Sequence, residues 1–107
     1  MQTGRLEKLL EFIKAEPEDP FLKYALATEY LRINQTDKAL QYYENLVHNH
    51  PDYVGTYYHL GKLYEALNRR EDAISTYQTG MKITREQRDN HAFSELQAVY
   101  NQLTDED

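Results

Sequence analysis

An all-α fold of about six helices, arranged as antiparallel hairpins, is what three observations in this sequence predict. The chain matches itself when shifted by 34 residues, apolar positions recur at spacings of three and four, and short polar breaks separate the apolar runs. The shift pairs Tyr24 with Tyr58, Leu26 with Leu60, Tyr30 with Tyr64, Asn34 with Asn68, Ala39 with Ala73 and Tyr43 with Tyr77, and it sets Ala27 opposite Gly61. A fixed period of this length is the mark of a repeated supersecondary unit that buries its apolar face only by stacking on a neighbour.

The elements follow in order. Leu6, Leu9, Leu10, Phe12 and Ile13 predict a helix over about 5–15, and Pro17 precedes Pro51 by the same 34 residues. This helix therefore reads as the second half of a missing repeat. Leu26, Tyr30 and Ile33 predict a helix over 21–33, which must stop at Asn34, since Asn tolerates the left-handed conformation used at helix ends. Asp37 then lies in the first turn of a helix over 37–49, carried by Ala39, Leu40, Tyr43, Leu46 and Val47, where the helix dipole favours an acid.

The second copy repeats the pattern. Tyr57, Leu60, Tyr64 and Leu67 predict 55–67, with Asn68 as its stop, and Ala73, Ile74, Tyr77 and Met81 predict 71–86 behind Glu71 and Asp72. Phe93, Leu96, Gln97 and Tyr100 reproduce the spacing of Tyr57, Leu60, Gly61 and Tyr64 after two inserted residues, predicting a last helix over 91–103. Gln97 occupies a position that needs a small residue only if another helix follows, so this element reads as a cap. Gly61, in mid-helix, costs about 1 kcal/mol relative to Ala. Close antiparallel crossing offsets that cost, with Ala27 against Ala39 in the first copy and Gly61 against Ala73 in the second.

Composition narrows the function. The chain has 107 residues, 40% hydrophobic and 28% charged, which is the balance of a soluble globular domain. No apolar run approaches a membrane span, and the N-terminal charges are not those of a secretion signal. A net charge of −6 disfavours nucleic acid, and the single basic pair, Arg69-Arg70, is followed at once by Glu71-Asp72. The absence of cysteine excludes disulfides and thiol chemistry and suits a cytoplasmic location.

Catalysis finds little support. His48 and His50, two apart on a helix, face different directions and do not form a metal pair. Glu18-Asp19 and Glu71-Asp72 sit at helix starts, where capping accounts for them, and neither a phosphate-binding glycine loop nor a nucleophile elbow is present. No cofactor is implied. The acidic end, TDED, reads as a solvated tail.

The residues at these spacings resemble the tetratricopeptide repeat. Its succession of aromatic, Leu, small residue, Tyr, Ala, aromatic and Pro is met by Tyr57, Leu60, Gly61, Tyr64, Ala73 and Tyr77 in copy two. Copy one supplies Leu26, Ala27, Tyr30, Ala39, Tyr43 and Pro51, with Lys23 in place of the first aromatic. Copy two has Arg85 in place of the closing Pro, so its second helix is expected to run on. The resemblance implies a right-handed α-α superhelix: a half repeat at 1–19, repeats at 20–53 and 54–87, and a capping helix with acidic tail at 88–107, in one domain. Met1 and the polar end read as those of a whole small protein, although a piece of a longer array would look similar.

It also implies protein or peptide binding, the first helix of each pair lining a concave groove. Positions not used by the helix–helix core are Phe21, Tyr24, Ala25, Thr28, Leu31 and Arg32, then Gly55, Tyr58, His59, Lys62, Glu65 and Ala66, then His91, Ser94, Glu95 and Ala98 on the cap. Tyr24, Thr28, Arg32, Tyr58, His59 and Lys62 are the candidate peptide-binding residues, in a groove less acidic than the molecule. Tyr24 and Tyr58 have a second reading, packing against the preceding helix. Members of this family that clamp a chaperone's C-terminal carboxylate carry Lys, Asn and Arg where this chain has Tyr24, Thr28, His59, His91 and Glu95, so that ligand is disfavoured. An adaptor or scaffold is the expected role, and self-association through the terminal helices, giving a homo-oligomer, is the alternative.

Overall fold

Six helices follow one another through residues 4–105, the part of the chain that the computed structural model describes. They are α1 (Gly4–Ala15), α2 (Pro20–Arg32), α3 (Thr36–Asn49), α4 (Gly55–Ala66), α5 (Arg70–Glu86) and α6 (Asn90–Thr104). Every predicted element is present, with ends within a residue or so of expectation. α5 has 17 residues against 14 in α3, in line with the missing proline at Arg85. Of the acidic tail, Glu106 and Asp107 lie outside the described residues. No described helix is long and apolar enough to cross a membrane.

The chain divides into two compact units, 1–50 with α1 to α3 and 51–107 with α4 to α6. In the first, Leu6 and Leu9 of α1, Leu22, Ala25, Leu26 and Tyr30 of α2 and Ala39 of α3 form one core. Two expectations fail here. Ala25 is buried in this core rather than facing a partner, because α1 covers that side of α2. Phe12, read as part of the apolar stripe of α1, is 57% exposed, so α1 turns Leu6 and Leu9 inward and leaves Phe12 on its outer side.

In the second unit α5 packs between α4 and α6. Tyr57, Leu60, Tyr77 and Leu96 are buried to 2% exposure or less, and the Tyr57 hydroxyl donates to the Pro51 carbonyl at 2.6 Å. Gly61 does relieve a close approach, but the neighbour is Tyr77 rather than Ala73. A Cβ added at Gly61 would strike Cε1 of that ring and lie 2.6 Å from Cζ. Gly80 is a second close approach, with the Tyr57 Cβ 2.6 Å from where its own Cβ would be.

Three helices end by the same device. Asn34 and Asn68 have φ of 65° and 60°. Gln35 N–H donates to the Tyr30 carbonyl and Arg69 N–H to the Tyr64 carbonyl, both at 2.8 Å, closing the six-residue loop of a Schellman motif. α5 ends identically, Asp89 N–H reaching the Thr84 carbonyl at 2.9 Å, but the left-handed residue there is Arg88, φ 60°. Left-handed backbone costs a residue with a Cβ about 1–2 kcal/mol, part of which glycine returns through unfolded-state entropy. Arg88→Gly is therefore expected to stabilise the protein by about 0.5–1 kcal/mol, read as a raised urea midpoint. A lowered midpoint would mean that the Arg88 side chain holds more than its backbone costs.

Candidate functional site

The candidate residues fall into two patches, one on each unit. On α2, Tyr24, Thr28 and Arg32 stand one turn apart and share a face. Thr28 and Arg32 are exposed and Tyr24 is half-buried, its ring edge-on to the buried Tyr43 with centroids 6.3 Å apart. The Thr28 hydroxyl donates to the Tyr24 carbonyl at 3.0 Å and lies 3.3 Å from the Tyr43 hydroxyl. The packing partner of Tyr24 shown here is thus on α3, the following helix, and not on the preceding one.

Arg32 is not a free cation. Its Nε and Nη2 donate to the two carboxylate oxygens of Glu29 at 3.0 and 2.6 Å, a bidentate pair. Glu29 is 2% exposed, and Arg5 of α1 approaches it at 3.6 Å. The hydrogen bond and charge of Glu29 hold the Arg32 guanidinium above its ordinary pKa. A buried carboxylate needs such partners, so Arg32 covers an acid that spacing alone did not reveal as buried.

The second patch spans α4 and α6. Tyr58 and His59 stand beside one another with ring centroids 5.5 Å apart, Tyr58 half-buried and His59 exposed. One turn on, Lys62 Nζ lies 3.8 Å from a Glu65 oxygen, and that same oxygen accepts the Tyr77 hydroxyl at 2.5 Å. Burial first, then the hydrogen bond that the hydroxyl donates to Glu65, push the Tyr77 phenol well above its ordinary value, so it remains a donor throughout the physiological range. Lys62, like Arg32, is accompanied by an acid. Each of these two cations is therefore balanced locally by an acid.

Between α4 and α6 lies a cavity of 330 Å³ lined by Val54, Gly55, Tyr58, His59, Ala92, Glu95 and Leu96. Neighbouring packing pushes the His59 imidazole below its ordinary value against the opposing pull of Glu95, favouring the neutral ring at pH 7. Asp89 accepts from Ala92 N–H at 3.1 Å, capping α6 and fixing where Ala92 and Glu95 enter the cavity wall. Spacing placed Glu95 on the capping helix without showing that it meets His59.

A polar cluster in the first unit went unforeseen. Lys23 is 4% exposed, and its ammonium contacts Glu18 at 3.0 Å, Asn45 at 2.7 Å and the His50 ring at 3.4 Å. His50 thus turns toward Glu18 and Lys23, while His48 is exposed on the surface. The signal was present in the 34-residue alignment, where Lys23 stands opposite the buried Tyr57.

These hairpins, with Gly61 facing Tyr77 and Gly80 facing Tyr57 in the second unit, coincide with a known repeat. The tetratricopeptide repeat model matches residues 30–100, more than half of the chain. The chain belongs to the tetratricopeptide repeat family. A solution NMR structure of a tetratricopeptide repeat domain protein from Salinibacter ruber is 51% identical, covers 82% of this chain and 89% of its own, and superposes with a TM-score of 0.79. A crystal structure of a tetratricopeptide repeat domain protein from the same organism is 50% identical over 79% of this chain and 96% of its own, TM-score 0.76. A protein from Bordetella parapertussis shares the fold at 24% identity, TM-score 0.81, covering all of this chain and 92% of its own. Among curated proteins none matches. Tetratricopeptide repeats generally serve protein–protein interaction without catalysis.

Proposed function

We propose that this tetratricopeptide repeat protein is a non-catalytic adaptor or scaffold that binds a segment of a partner protein in the cytoplasm. Binding uses the face of α4 that carries Tyr58, His59 and Lys62, and Tyr24, Thr28 and Arg32 on α2 form the corresponding patch of the first unit. The observation that carries this reading is the cavity between α4 and α6, where a half-buried tyrosine, a neutral histidine and an acid converge over an apolar floor. Tyrosine and arginine are the types that dominate binding hot spots. The proposed organisation is a half repeat at 1–19, repeats at 20–53 and 54–87, and a cap at 88–107.

The test compares capture of proteins from the source cell's lysate by the wild-type chain and by a Tyr58→Ala, Lys62→Glu double variant whose circular dichroism is unchanged. A protein retained by the wild type alone is the expected result. Retention of the same set by both would move the working surface elsewhere.

One observation favours a second reading, self-association. A cleft of 540 Å³ between α5 and α6, lined by Met81, Arg85, Phe93 and Tyr100 among others, is open on the last helix of the array. Sedimentation at micromolar concentration decides: a dimer weakened by Phe93→Ala supports it, and a stable monomer removes it.

A further inference from the structure

We infer that the cavity between α4 and α6 is selective for a cationic side chain, an arginine or a lysine of the partner segment. This rests on the proposed binding role of the α4 face and specifies what that face recognises. Two features converge. Glu95 is exposed, and among the described residues its ion-pair partner is His91, itself on the surface and 3.7 Å away. A carboxylate at a cavity rim with so little fixed counter-charge can take a guanidinium in bidentate fashion. The half-buried Tyr58 ring supplies a π face suited to a cation, a position that Arg takes more often than Lys.

The remaining lining agrees. His59 is held toward its neutral form, which limits the repulsion it offers a cation. Val54, Ala92 and the buried Leu96 offer apolar surface for an aliphatic stem. Lys62, a turn further along α4, is beside Glu65 at 3.8 Å. One feature opposes: the start of α4 at Gly55 lines the same cavity, and a helix N-terminus carries about half a positive charge. It is outweighed by the full charge of Glu95, and the chain's net charge of −6 steers cationic partners toward it.

The test is an NMR titration of the ¹⁵N-labelled chain with three capped single residues: the N-acetyl amides of arginine, glutamate and tyrosine. The arginine probe is expected to give saturable shifts at Gly55, His59 and Glu95, weakened about two- to fivefold in Glu95→Gln, as for an exposed ion pair. Raising the salt should weaken it similarly. Glu95→Gln is a surface substitution of equal size, and unchanged shifts elsewhere will confirm its fold. Binding of the glutamate or tyrosine probe here as tightly as arginine would overturn the charge preference and leave the binding role of α4 standing. Silence from all three probes at this cavity would overturn both.

Discussion

Gly61→Ala is expected to destabilise the protein by about 1–3 kcal/mol, although alanine is the better helix former by about 1 kcal/mol. The added methyl would enter the Tyr77 ring, which is fully buried and is pinned at its far end by the 2.5 Å hydrogen bond to Glu65. The first copy shows the escape available. There Ala27 coexists with Tyr43, whose hydroxyl lies beside Thr28 rather than near the residue equivalent to Glu65. Pushed into that position, Tyr77 would meet Lys62, the counterpart of Thr28, and would give up Glu65. The midpoint of thermal unfolding should fall roughly 5–20 °C. A double-mutant cycle separates the causes: in a Tyr77→Leu background the same substitution should stabilise by up to about 1 kcal/mol, because only the propensity gain remains. Stabilisation of the wild-type background by Gly61→Ala would refute the packing account.

What the sequence made legible was whatever repeats. Helix limits, the Asn34 and Asn68 stops and the acidic first turns of α3 and α5 follow from local chemistry stated twice, so two copies corroborate one another. The burial of Leu26, Leu60, Tyr43 and Tyr77 follows from their period. What departs from the repeat was harder to read. Arg88 adopts the left-handed conformation because α5 must stop, not because its side chain favours it. Glu29 occupies a position that is buried in both copies, Leu63 being its counterpart, and the departure is the acid itself, which Arg5 of α1 and Arg32 accompany. Gly61 was recognised as a point of close approach, but its partner was misassigned, since i and i+4 positions on the facing helix are both within reach and only coordinates choose between Ala73 and Tyr77. For the candidate site, spacing identified which side chains are available on α2 and α4. The i,i+3 spacing of Glu29 with Arg32 and of Lys62 with Glu65 also put an acid beside each cation, but spacing could not show that Glu95 of α6 completes a cavity with His59.

Lys23 gives the second large effect. A lysine stands where the other copy has an aromatic residue, and it is held by Glu18, Asn45 and His50. Truncation by Lys23→Ala removes a buried stem and leaves a cavity, and should cost about 2–4 kcal/mol by urea unfolding. Lys23→Met keeps the stem's volume and removes the charge together with the need for its partners. It should lie within about 1 kcal/mol of wild type at neutral pH, since an ion pair exchanged for well-packed apolar atoms is often near neutral. Glu18 is 74% exposed and can return to water once Lys23 no longer holds it. Acid separates the two chains. The hydrogen bond and charge of Lys23 lower the Glu18 carboxyl below its ordinary value of 4.5. A carboxyl depressed in the folded state contributes stability that is present above its unfolded pKa and is lost as pH falls through the folded one. Wild type should therefore lose stability on acidification below about pH 4.5 more steeply than Lys23→Met, which lacks that linkage. Equal acid limbs in the two chains would show that the Lys23–Glu18 contact contributes nothing in solution, and Lys23→Met as costly as Lys23→Ala would show that the charge itself holds α2 to α3.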